Sequence, residues 1–92
     1  MSGGSNLIQS FGVAVRQSRE AQGWSQEQLA EQADLNRSYV GEIERGRAIA
    51  SLQTVEKLAL SLGMAPSALV LRGEALRQAN LVRGLQLAAI AC

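Results

Sequence analysis

The stretch from Ser25 to Gly46 constrains this chain more than any other, because its residue types dictate two short helices and the corner between them. Ser25 is a strong N-cap, and Gln28 three residues later completes a capping box, so a helix begins here. Leu29, Ala30 and Ala33 fall on one face of that helix, which is about nine residues long. Asp34-Leu35-Asn36 interrupts the periodicity, placing an apolar residue inside the turn and a second capping residue, Asn36, at its end. In the helix that follows, Tyr39, Val40 and Ile43 point inward, and Gly46 suits a left-handed stop.

Ninety-two residues make one small domain. Such a domain buries only about 60–65% of its unfolded surface, so association is a natural supplement to its stability. Phe11, Trp24 and Tyr39 are the only aromatic residues, and the core must therefore be built from Leu, Ile, Val and Ala. Pro66 is the single proline and no alternating β-branched run occurs, which leaves an all-α fold as the economical expectation. Cys92 is the lone cysteine and histidine is absent, so an intrachain disulfide and a Cys/His metal site are both excluded. Without a phosphate-binding glycine loop either, no catalytic constellation can be assembled and no cofactor is expected. The N-terminus lacks a basic region leading into an apolar run, and no apolar run approaches 18 residues. The expectation is a soluble, cytoplasmic protein without a membrane partner.

Residues 1–6 are small and polar and are expected to fray. Ile8, Phe11, Val15 and Ser18 or Arg19 follow helical spacing and predict a first helix to about Gln22, stopped by Gly23. Trp24 is expected to anchor the core rather than to serve as a stacking platform for a base. After the loop 47–50, Ser51 caps a helix with Leu52, Val55, Leu58, Ala59 and Leu62 on one face and Gly63 at its end. Pro66 opens a short further helix through Leu71. Beyond it, Leu76, Ala79, Val82 and Leu85 or Gln86 keep a spacing of three or four, and Leu85 to Ala91 is apolar almost all round.

Gly23-Trp24-Ser25-Gln26-Glu27-Gln28-Leu29-Ala30, then Leu35-Asn36-Arg37-Ser38-Tyr39-Val40, then Ile43-Glu44-Arg45-Gly46, resembles the helix-turn-helix family of phage lambda-type repressors and Cro proteins. Restriction–modification controller proteins belong to the same family. The resemblance runs from about Phe11 to Leu71 and is specific, because several spaced positions agree together. It implies a five-helix lambda-repressor-like domain over residues 7–72, to which residues 73–92 add a C-terminal helix. It also implies a transcription regulator that binds double-stranded DNA as a homodimer, with a recognition helix at about 36–45. Its two half-sites would lie one helical turn, roughly 34 Å, apart. The chain departs from the family at Ala50, where proline commonly precedes the Ser-Leu pair, and the loop is expected to be less rigid. The family often joins the positions of Arg19 and Glu44, and so implies an ion pair between them.

Carried over residue by residue, Arg37, Ser38 and Glu42 fall where the phage repressors place base-reading side chains. Arg37 can donate two hydrogen bonds to guanine O6 and N7, and Glu42 can accept from cytosine N4. Gln26, Asn36, Tyr39, Arg45 and Arg47 match positions that touch the phosphate backbone, contacts that set register without reading sequence. Gln26 also stands at a helix N-terminus, where free N–H groups favour an anion. Gly41 is expected on the outer face, leaving room for close backbone approach. The plainer alternative makes Arg37 and Glu42 solvated charges without a specific role. A net charge of +1 gives that alternative weight, and the DNA reading rests on where the arginines stand rather than on their number.

The apolar segment 73–92 needs a covering surface. The expectation is a dimerisation helix, the alternative an antitoxin-like module whose tail binds a partner protein. A third arrangement places the whole dimer contact on Leu69 and Leu71.

Overall fold

The computed structural model describes residues 6–91, with side chains described as far as residue 83. Helix α1 (Leu7–Ala21) starts at Asn6, whose side chain accepts the Gln9 N–H at 2.9 Å, so Asn6 is a cap. The expected fraying of the residues before it concerns positions outside those described. Phe11, Ala14, Val15 and Ser18 recur at three- and four-residue steps and form the buried stripe of α1. Helix α2 (Gln26–Ala33) opens with the full capping box: the Gln28 N–H donates to Ser25 Oγ and the Ser25 N–H to Gln28 Oε1. It closes at Asp34, which takes the left-handed conformation with φ 56°. A short polar side chain tolerates that region better than most residues. The Leu35 N–H reaches back to the Ala30 carbonyl at 2.8 Å, and Leu35 packs against the core, which fixes the corner.

Helix α3 (Arg37–Glu44) is capped by Asn36 and buries Val40 and Ile43. Gly46 follows with φ 73°. Helix α4 (Leu52–Ser61) is capped by Ser51 and buries Val55, Leu58 and Ala59. Helix α5 (Pro66–Ala91) buries Leu69 and lies along α1. The core contains Leu29, Val40, Ile43, Leu58 and Leu69, with Trp24 half-buried against it as an anchor. The fold is all-α, as the sequence leads one to expect.

One element differs from expectation in its extent. The short fifth helix and the C-terminal helix are a single uninterrupted element, so the described helices number five and not six. No proline or capping residue separates Leu71 from Leu76, and Gly73 has a packing reason to stay helical. A Cβ on Gly73 would stand 3.0 Å from Phe11 Cα, so the glycine lets α5 cross α1 at close quarters. Leu76 still packs against the core, whereas Leu81 and Val82 are exposed. The expected apolar surface of 84–92 belongs to side chains outside those described. Among the described residues no single helix is long and apolar enough to cross a membrane.

Candidate nucleic-acid interface

Before α3 can present anything to a ligand it has to be held, and it is held most firmly at its C-terminal end. Glu44 has only 2% of its side chain exposed and accepts from three N–H groups. Arg19 Nε donates to Oε2 at 2.7 Å, Arg19 Nη2 to Oε1 at 3.0 Å, and Gln26 Nε2 to Oε1 at 3.0 Å. Arg19 Nη1 donates in turn to the Trp24 carbonyl at 2.7 Å. One fork thus joins α1, the start of α2 and the end of α3. The hydrogen bonds to Glu44 raise the Arg19 pKa above its ordinary value against the opposing effect of burial. The ion pair implied for Arg19 and Glu44 is therefore present, with Glu44 buried and Arg19 partly so.

Two glycines bring the helices close enough for this. A Cβ on Gly12 would lie 2.2 Å from the Ile43 carbonyl oxygen and 2.9 Å from that of Glu44, so α1 touches the backbone of α3 directly. Gly46 would bring a Cβ to 2.6 Å from Gln9 Cγ. In the sequence Gly12 signals this contact only as an interior helix glycine, destabilising by about 1 kcal/mol, on the same face as Val15.

The other end of α3 is open. Arg37 and Ser38 are exposed on its first turn, and Arg37 makes no hydrogen bond or ion pair among the described residues. Asn36 is exposed, but its Oδ1 is occupied by the Ser38 N–H at 2.7 Å, so it works first as a cap. Arg47, just beyond the helix, is also exposed; its N–H donates to the Glu42 carbonyl at 2.8 Å, while its side chain makes no hydrogen bond or ion pair among the described residues.

The remaining candidates already have partners. Arg45 donates to Glu42, and this hydrogen bond holds the Glu42 carboxyl below its usual range, aided by the charges of Arg45 and Arg47. Gln26 is half-buried and directs its amide N–H to Glu44. Tyr39 packs its ring against the core while its hydroxyl makes long bonds, both 3.4 Å, to the Ile49 carbonyl and Thr54 Oγ1. Gly41, expected on the outer face, is buried instead. The Gln26 and Arg45 side chains lie over it, each with polar atoms 3.3 Å from where its Cβ would be.

Arg37, Ser38 and Glu42 on α3, its caps Asn36 and Arg45, Arg47 just past it and Gln26 at the start of α2 together provide cations, amides and one carboxylate around a short helix with a buried side. Among the described residues no group of three His, Cys, Asp or Glu side chains is placed to hold a metal.

The Helix-turn-helix family model matches residues 15–69. Control protein C.BamHI of Bacillus amyloliquefaciens is 42% identical over 66 residues, which are 71% of this chain and 82% of that protein. The crystal structure of the restriction–modification controller protein C.AhdI from Aeromonas hydrophila superposes with a TM-score of 0.65 at 46% identity, over 68% of this chain and 94% of that one. The clp gene regulator ClgR from Corynebacterium glutamicum shares the fold more completely, with a TM-score of 0.85 over 96% of this chain and 93% of its own, at 23% identity.

Proposed function

The chain belongs to the helix-turn-helix family of DNA-binding transcription regulators, and from that premise we propose that it reads a specific operator as a homodimer. The observation that carries this reading is the contrast within α3: a buried end clamped by Arg19 and Gln26, and an exposed first turn offering Arg37 and Ser38. A recognition helix needs both, since base-edge contacts work only from a rigid frame.

In this reading Arg37 takes a guanine edge, Ser38 and Glu42 complete the base contacts, and Arg47 meets the phosphates. Arg45, Asn36 and Tyr39 contribute at the backbone, as does Gln26 from the start of α2. Selecting bound duplexes from a random pool tests it: the expected winners carry a two-fold symmetric site with half-site centres roughly 34 Å apart. Enrichment of single, unpaired sites would contradict the dimer, and no enrichment at all would contradict sequence reading.

The dimer contact is assigned to α5 and the groove beside it. A largely apolar hollow of about 730 Å³ opens between α4 and the first half of α5, lined by Leu7, Leu52, Val55, Val70 and Leu71 among others. Leu52 is 87% and Leu71 66% exposed, more than a lone small domain leaves open without reason. Leu69 is fully buried within its own domain and takes no part. A second copy, related by two-fold symmetry, covers both this groove and the outer half of α5, where Leu81 and Val82 stand exposed. Sedimentation equilibrium of the Leu71→Glu variant and of a chain lacking residues 79–92 should show weaker dimers in both cases. An unchanged dimer constant in the truncated chain would leave that segment to a different protein.

A further inference from the structure

Glu42 and Arg45 are spent on each other. Arg45 Nη2 donates to Glu42 Oε2 across one turn of α3, although both side chains keep more than a third of their surface in solvent. The guanidinium lies over Gly41, where an added Cβ would be 3.3 Å from both of its terminal nitrogens. Gln26 Oε1 comes to the same distance from that point, turned there because the amide N–H is directed to the buried Glu44. The middle of α3 is thus covered by a closed ion pair, while Arg37 and Arg47 on either side are open.

Building on the reading of α3 as the helix that faces DNA, we propose that Glu42 is a specificity gate acting through Arg45, keeping that cation from phosphate until the correct bases are present. Every duplex offers phosphate to Arg45, and such contacts are blind to sequence. To accept one, Arg45 has to leave Glu42, and the freed carboxylate then faces a polyanion. A base edge that presents a donor at this position, such as the cytosine N4 amino group, takes up the carboxylate and makes the exchange favourable. On other sequences the carboxylate meets acceptors and phosphates, and repulsion opposes engagement of Arg45. Discrimination then comes from penalising wrong sites as well as from gripping the right one. Gly41 lets the guanidinium settle close over the helix, where even a Cβ would ask it to give way by a few tenths of an ångström.

The test uses the full chain on its selected operator and on an unrelated duplex, across a salt series. It compares the parent with Glu42→Gln, Arg45→Ala and the double variant. Both positions are exposed enough for the variants to fold, which thermal melting verifies. Glu42→Gln should tighten binding to the unrelated duplex about fivefold per subunit, the scale of one exposed ion pair. It should also steepen the salt dependence there by about 1 per subunit and lower the ratio of operator to unrelated affinity. With Arg45 already replaced by alanine, the same substitution should have less than half that effect on the unrelated duplex. Equal changes on both duplexes, no change on the unrelated one, or an undiminished effect without Arg45 would each overturn the gate. Failure of the parent protein to prefer any duplex would overturn the DNA reading itself.

Discussion

At the C-terminal end of α3, Glu44 sits beneath α1 and accepts from Arg19 and Gln26; two turns earlier, Arg37 stands in solvent with no partner among the described residues. Both ends use charged side chains, and burial separates their roles. A buried charge is costly unless every hydrogen-bonding position is filled, so Glu44 and Arg19 are locked into one geometry and are structural. An exposed charge costs little to leave unpaired, so Arg37 is free to select its partner from outside. The same eight-residue helix can therefore be rigid and available at once.

Breaking the buried end should have the largest effect. Glu44→Gln removes the close bidentate partner of Arg19, leaving only the long 4.0 Å approach to Glu20, and should lower stability by about 3–5 kcal/mol, a large fraction of what a domain this size possesses. Equilibrium urea unfolding measures it, and a loss below about 1 kcal/mol would place the pair among ordinary surface contacts. Gly12→Ala attacks the same end through shape. The new methyl would meet backbone carbonyl oxygens that cannot turn aside, so α1 must lift from α3. A net loss of about 1–3 kcal/mol is expected despite the better helix propensity of alanine. A stabilised Gly12→Ala protein would show that the two helices tolerate a wider separation.

Arg37→Ala should behave oppositely, leaving the unfolding free energy within about 0.5 kcal/mol of the parent. A larger loss would mean that the open end is structural too, and the contrast would fail.

The smallest effect belongs to the Glu42–Arg45 pair. Its hydrogen bond holds the Glu42 pKa below the ordinary carboxylate value. A carboxylate lowered in the folded state contributes stability above its unfolded pKa and loses it as pH falls through the folded one. Glu42→Gln should therefore lower stability slightly at neutral pH, with the difference from the parent vanishing as pH falls through the folded Glu42 pKa, so that the acid side of the profile is flatter. A change at neutral pH as large as that of Glu44→Gln would erase the distinction between exposed and buried pairs.

What the sequence makes legible follows the same division. Ser25, Gln28, Asn36 and Ser51 announce their helix starts because capping is a local matter of side-chain chemistry. The stripe Phe11, Ala14, Val15 and Ser18 likewise shows itself through spacing alone. The continuity of α5 is harder to read, since Gly73 looks like a boundary until Phe11 is seen against it. Gly41 is a parallel case: an apparently outward glycine is covered by Gln26 and Arg45, side chains whose positions depend on Glu44 and Glu42. Long-range placement of this sort has no periodicity to betray it. Among the candidate site residues, the sequence identifies the types and the helix, while the partners of Gln26, Glu42 and Arg45 emerge only from packing.

The most direct test of the account sets Arg37→Ala beside Arg47→Ala on operator and on duplexes mismatched at single positions, measured across a salt series. Arg37 stands at the start of α3, where the proposed reading gives a bidentate donor a base edge, so its loss should cost about 1–3 kcal/mol on the operator. That loss should nearly vanish on duplexes altered at one particular base pair in each half-site. Arg47 lies past the helix, and its loss should weaken every duplex alike and reduce the salt slope by about 1 per subunit. A uniform loss for Arg37→Ala together with a changed base preference for Arg47→Ala would contradict the account and turn α3 differently in the groove.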